Sequence, residues 1–96
     1  MIVSGEFRRN IYLVVKEALH NIVKHAQANQ VMISFEISKD LVIRIKDDGI
    51  GFDPAHARPY SNGLLNMKKR MTDIDGSLEI KNDHGTTIIL SVPLPS

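Results

Sequence analysis

One six-residue stretch, Asp47-Asp48-Gly49-Ile50-Gly51-Phe52, limits what this chain can build. The residues before it, Leu41, Ile43 and Ile45 up to Lys46, alternate apolar with polar at the period of a β-strand. Two spaced glycines then end the alternation and open a loop whose backbone can approach a ligand more closely than a side chain would allow. Asp48-Gly49 is also the chemistry of a two-residue hairpin turn. That turn needs a second strand directly afterwards, and Ile50-Gly51-Phe52-Asp53-Pro54 is a poor one. The stretch reads as a strand end followed by a ligand loop.

The flanking patterns organise the rest. Glu6 to about Ala28 reads as a long amphipathic helix, with Phe7, Ile11, Val15, Ala18, Leu19, Ile22, Val23 and Ala26 on one side. Asn10, Glu17, Asn21 and Lys24 gather opposite, and Leu13 and Val14 interrupt them, so that face is expected to be partly covered. Gln30 to Ser38 alternates at Val31, Ile33, Phe35 and Ile37 and reads as a half-buried strand. A tight turn at Lys39-Asp40 leads into its antiparallel partner, Leu41–Lys46. Asp47 to Asn62 has no periodicity and several Gly and Pro breakers, which marks a long loop and a candidate lid. Asn62 is the expected N-cap of a second helix running to about Asp75, with Leu64, Met67, Met71 and Ile74 as its apolar stripe and Gly76 as its stop. Ser77–Asn82 and Thr86–Val92 form a hairpin around Asp83-His84-Gly85, ended by Pro93 and Pro95. The expected fold is an α/β (α+β) two-layer sandwich, with helices packed on one face of a mixed, mostly antiparallel sheet.

Size and composition narrow the classes. Ninety-six residues make one domain, 1–96, near the lower limit for a single core without covalent help. The absence of cysteine excludes disulfides, thiolate metal sites and cysteine nucleophiles. Twelve Lys+Arg against 11 Asp+Glu give a net charge of +1, which argues against a nucleic-acid binder. The longest apolar runs are far too short to span a bilayer, and Met1–Gly5 lacks the features of a signal peptide. The expectation is a cytoplasmic module without direct membrane contact.

Four pieces can carry chemistry. Glu17, Asn21 and Lys24 sit at i, i+4 and i+7, one narrow stripe at ~100° per residue. Asn21 there can offer a carbonyl oxygen to Mg²⁺, Glu17 can orient a water or take a proton, and Lys24 can meet a phosphate. Pattern alone favours an ordinary solvated helix face for this trio. Asp47, at a strand end before Gly49 and Gly51, can accept the exocyclic amine of adenine, where guanine presents a carbonyl. Ser61-Asn62-Gly63-Leu64 opens a helix whose free N–H groups suit an anion, though taken alone the pattern favours plain helix capping followed by a solvated basic patch. Thr86, after Gly85, can hydrogen-bond a base or a water, but strands are rich in Thr for packing reasons alone. The four histidines show no metal-ligand spacing.

In their order along the chain, these pieces resemble the catalytic ATP-binding domain of sensor histidine kinases, within the superfamily that includes gyrase, the ninety-kilodalton heat-shock chaperone and MutL. Lys16–Ala26 is similar to the family's Asn box, Asp47–Phe52 to its first glycine box, Asn62–Met71 to its second, and Gly85-Thr86-Thr87 to the late Gly-Thr. The Lys-His-Ala-Gln-Ala run from Lys24 and the short lid look most like the nitrate- and fluidity-sensor subfamily. The resemblance implies that ATP and Mg²⁺ are the cofactors. Asn21 would be the metal ligand and Glu17 its polar or proton-handling neighbour, with Lys24 and His25 on the phosphate side. Asp47, Gly49, Gly51 and Thr86 would shape the adenine pocket, and Gly63 and Leu64 would open the lid helix. It further implies transfer of the γ-phosphate to a histidine on a separate helical dimerisation domain, and then to a response regulator.

Two departures matter. The second glycine box retains only Gly63, and no acceptor helix precedes the first long helix. His20 and His25 lie inside the Asn box and are not that acceptor. The expectation is a catalytic domain that binds ATP without completing autophosphorylation. Rival readings are an anti-sigma-factor-like Ser kinase and a degenerate domain that only mediates protein contacts; Asn21, Asp47, Gly49 and Gly51 argue against the second.

Overall fold

In the computed structural model, which describes residues 3–26, 29–49, 61–82 and 85–95, two helices pack on one face of a four-stranded sheet. The elements are α1 (Gly5–Asn21), β1 (Val31–Ile37), β2 (Asp40–Asp47), α2 (Ser61–Thr72), β3 (Ser77–Asn82) and β4 (Thr86–Pro93). A π-helical turn, Ile22–Ala26, continues α1. The sheet order is β1-β2-β4-β3, and every pairing among the described strands is antiparallel. The expected two-layer sandwich is therefore present. The loop 50–60, the turn at Asp83-His84 and Ile2 lie outside the described residues.

The core is the inner face of β2 and β4 pressed against both helices. Ile43 and Ile45 of β2 and Ile88, Leu90 and Val92 of β4 meet Val14, Ala18 and Ile22 of the first helix and Leu64, Met67 and Met71 of α2. The outer face carries polar positions such as Arg44, Lys46, Glu79 and Lys81, all exposed. Alternation of period two thus sorts the sheet into one dry and one wet side.

Two expectations about helix 1 need correction. Its buried line is not the all-apolar side: Asn10, Val14, Ala18 and Asn21 are buried, while Val23 is 83% exposed. The reason is that α1 touches two partners, the sheet and α2. Asn10 faces the second and donates its Nδ2 to the carbonyl of Arg70 at 2.9 Å. A polar residue at a helix–helix seam is tolerated when it is hydrogen-bonded. The chain entry is fixed by Ser4, whose Oγ accepts from Phe7 N at 3.0 Å as an N-cap.

The ends of α2 also differ from the sequence reading. The helix begins at Ser61, so Asn62 lies inside it, and it ends at Thr72 rather than Asp75. The left-handed stop residue is Asp75, with φ 63°, and not Gly76. Gly76 and Ile74 both donate their N–H to the Met71 carbonyl, at 2.7 and 3.1 Å. Glycine is required at 76 for space: a Cβ there would lie 2.8 Å from the Ser91 carbonyl oxygen and 2.9 Å from Met71 Cε.

β1 is not half-buried. All seven of its residues are exposed, including Phe35 at 65% and Ile37 at 69%. Its inner-facing residues Val31, Ile33, Phe35 and Ile37 stand opposite Asp47, Ile45, Ile43 and Leu41, but the described helices cover only the other three strands. Burial, and not side-chain size, should therefore set the cost of truncation. Ile45→Ala is expected to cost ~2–5 kcal/mol in urea unfolding, and Phe35→Ala ~0.5 kcal/mol or less despite its larger ring.

Candidate functional site

Two of the residues singled out by the sequence, Asp47 and Thr86, meet at one end of the sheet, where β2 finishes and β4 begins. Asp47 is the last residue of β2 and pairs with Thr86, the first of β4. Directly opposed residues on antiparallel strands share a face, so both side chains point into the helix layer, and each is only 1% exposed. A buried carboxylate normally has both oxygens hydrogen-bonded. Here Oδ1 accepts from Gly49 N at 2.8 Å, while Oδ2 is buried without a protein partner.

A second buried polar atom stands unpaired. Asn21 closes the α-helical part of helix 1, is 4% exposed, and its Nδ2 has no partner. Such an orphan costs free energy, on the order of 1–3 kcal/mol, unless something else satisfies it. Asn21 Nδ2 and Asp47 Oδ2 are the two buried side-chain atoms of this kind among the described residues.

The third component is the contact between α1 and the start of α2. Gly63 sits so close to helix 1 that a Cβ would meet Glu17 Oε1 at 2.5 Å. A cavity of about 350 Å³ lies beside this contact, lined by Lys16, Glu17, Gly63, Asn66 and Arg70 together with Leu13 and Met67. It offers two cations and the open end of a helix. Lys24 is exposed within the π-helical turn. That turn changes the angular step after Asn21, so Lys24 does not continue the α-helical line through Glu17 and Asn21. Leu64 is 7% exposed and its side chain belongs to the core. Gly51 and the His25 side chain lie outside what is described.

Glycine 85 has no alternative at its position. Its φ of +122° is one that side chains rarely adopt, and a Cβ would collide with the carbonyl of Asp47. From the sequence, Gly85 reads as part of the hairpin turn and of the late Gly-Thr motif, and neither shows the close approach to Asp47. Asp48, which the motif reading passes over, has a defined structural role. Its Oδ1 accepts from the backbone N–H of Asn29 at 2.8 Å and of Gln30 at 3.0 Å. These bonds, Gln30 first, hold its carboxyl below the ordinary carboxylate range. The residue type carries a clue, since Asp commonly accepts from nearby backbone amides at turns. A cleft of about 570 Å³ opens beside this knot, walled by Gln30, Val31, Met32, Lys46, Asp47 and Asp48.

A buried acid at the end of a central strand, a buried amide on the first helix and a second helix packed against the first stand on one side of an antiparallel sheet. The chain belongs to the family of histidine kinase-, DNA gyrase B- and HSP90-like ATPases, whose model matches residues 7–96. It is 41% identical over 87 residues to the signal transduction histidine-protein kinase/phosphatase DegS of Brevibacillus brevis, covering 88% of this chain and 22% of that protein. Against the sensor histidine kinase DesK of Bacillus subtilis it is 33% identical over 82 residues, covering 84% and 22%. The chain thus spans under a quarter of the length of these relatives. Its fold matches the histidine kinase domain of the blue-light activated kinase EL346 from Erythrobacter litoralis with TM-score 0.81 at 24% identity, covering 96% of this chain and 46% of that one. The ATP-binding domain of PrrB from Mycobacterium tuberculosis superposes with TM-score 0.77 at 26% identity, covering 92% and 69%. No helix among the described residues is long and apolar enough to cross a membrane.

The Asp48 knot should respond to acid. Its carboxyl is depressed in the folded state, so the unfolded chain binds more protons as pH falls. The stabilisation is complete above the unfolded value near 3.8 and is lost as pH drops through the lower folded value. The stability difference between the wild type and Asp48→Asn, read by thermal melts from pH 7 to 2.5, should shrink only below about pH 4. A second test concerns glycine: Gly85→Ala should lower stability by more than ~2 kcal/mol, since it meets both an adverse φ and fixed backbone.

Proposed function

We propose that this chain binds Mg²⁺-ATP and presents the γ-phosphate to a histidine on a separate helical domain of a two-component kinase. The observation that carries the reading is the unpaired, buried Oδ2 of Asp47. An acceptor with no protein partner, at the end of a strand, suits the exocyclic amine of adenine. Guanine would place a carbonyl oxygen against the same carboxylate. Thr86 stands beside Asp47 and shapes the pocket with Gly49 and Gly51.

The magnesium ion fits Asn21. Its amide is buried and carries an unpaired end, and oxygen and nitrogen of an Asn exchange places by rotation about χ2. The turned amide would offer the hard oxygen that Mg²⁺ prefers. When bound, the ion would neutralise phosphate charge. Among the described residues no three His, Asp or Glu side chains cluster to hold a cation by themselves. Glu17, against Gly63, orients a water or takes a proton. Lys24 and His25 act on the phosphate side, and the first turn of α2 at Gly63 and Leu64 contributes through its backbone N–H groups. Leu64 keeps its side chain in the core. Catalysis in this arrangement consists of positioning and charge neutralisation.

The partners are the helical dimerisation and phosphoacceptor domain of the same kinase, and a response regulator downstream. In this reading the module works in the cytoplasm, without membrane or nucleic-acid contact of its own. His20 is exposed on helix 1, within the nucleotide helix, and is not the acceptor.

Asp47→Ala should weaken ATP binding about ten- to a hundredfold in calorimetric titration, equivalent to one charge-assisted hydrogen bond of ~1.5–3 kcal/mol. Wild-type affinity in the variant would remove Asp47 from the site. Incubated with labelled ATP, the chain should acquire no acid-labile phosphate by itself. It should label a separately expressed acceptor domain from the same kinase; stoichiometric self-labelling would contradict the reading.

A further inference from the structure

We propose that Asp48 is a positioning residue for adenine recognition: its carboxylate ties the start of β1 to the end of β2 and thereby sets the direction of the Asp47 carboxylate. The inference rests on the nucleotide reading above and assigns the specificity of that site to a residue that does not touch the base.

The last ladder pair between β1 and β2 is Val31 with Asp47. One step further, where the ladder has ended, Asp48 and the 29–30 segment exchange three hydrogen bonds. Asp48 N donates to the Gln30 carbonyl at 3.3 Å, and Asp48 Oδ1 accepts from the N–H of both Asn29 and Gln30. These bonds fix the dihedral angles of Asp48, and those angles decide where the next peptide N–H points. That N–H belongs to Gly49, and it donates to Oδ1 of Asp47 at 2.8 Å. Holding Oδ1 fixes the rotation of the Asp47 carboxyl and so aims its unpaired Oδ2.

The Asp47–Asp48 peptide is gripped from the other side as well. Gly85 lies so close that a Cβ would meet both the Asp47 carbonyl and Asp48 Cα. The peptide is therefore clamped between the Gly85 backbone and the 29–30 segment. Only the second half of this clamp depends on a side chain. Asp48 is exposed and contributes nothing to the core, so removing its carboxylate leaves the packing intact and frees only the aim of its neighbour.

The test is calorimetric titration of the wild type, Asp48→Ala and Asp48→Asn with ATP and with GTP, well below each melting temperature. The wild type should prefer ATP. Asp48→Ala should narrow the ATP-over-GTP ratio by about tenfold through weaker ATP binding, with GTP binding unchanged. Asp48→Asn retains one acceptor oxygen for both amides and the original size, and should keep the ratio within about threefold. A loss of affinity for both nucleotides in equal proportion would be a general structural effect and would overturn the inference. So would an unchanged ratio in Asp48→Ala, or an Asp48→Asn protein as unselective as a folded Asp48→Ala. Should Asp48→Ala not fold, the inference stands or falls on Asp48→Asn keeping the ratio while its Asn29 and Gln30 amides stay protected from hydrogen exchange. Wild-type binding with either result in the variants leaves the nucleotide reading standing. No ATP binding by the wild type would overturn both.

Discussion

Every feature of the site depends on the register of β2 against β4. Eight residue pairs lock Asp40 to Pro93 through Asp47 to Thr86, and the side-chain period of two makes this pairing unforgiving. A slip of one residue would turn Ile43, Ile45 and Asp47 to the wet face together. The same register that buries Ile45 against Ile88 also carries Asp47 beneath the helix layer, beside Thr86. The apolar part of the ladder holds the polar part in place. An isolated carboxylate could not be kept at 1% exposure by its own interactions, and the dry half of the sheet provides the free energy that keeps it there.

The two layers divide the work. Toward one end of the sheet, apolar side chains and the Met71–Gly76 turn give a dense, ordinary core. By contrast, Asp47 Oδ2 and Asn21 Nδ2 are buried without a protein partner, a polar cost that the packing does not relieve. Between them, α2 packs against α1, with Asn10 bonded to the Arg70 carbonyl and Gly63 beside the Glu17 side chain. The second helix is thus positioned by α1, which also carries Asn21.

Much of this was legible in the residues. The element order and both hairpins followed from period-two alternation and Gly or Asp breakers, and the proposed site residues were picked out by short motifs in their order along the chain. What escaped was decided by tertiary neighbours. Asn21, with Glu17 and Lys24, read on pattern alone as a solvated stripe, and the breaks at Leu13 and Val14 signalled partial cover without showing what supplies it. Val31, Ile33, Phe35 and Ile37 alternate as well as any core strand, yet stay exposed because helix coverage stops at β2. Asp75, and not Gly76, took the left-handed turn, since Gly76 was needed where Ser91 and Met71 leave no room. Asp48 looked like half of a turn motif; its partners at 29 and 30 are eighteen or more residues away in sequence.

Recognition of the adenine amine by Asp47 Oδ2 is the centre of the proposed mechanism. The most direct measurement is a double cycle by calorimetry: wild type and Asp47→Ala, each titrated with ATP and with purine riboside triphosphate, which lacks only that amine. The wild type should lose about tenfold or more in affinity without the amine, while Asp47→Ala should bind both nucleotides alike. Equal binding of the two nucleotides by the wild type would contradict the mechanism.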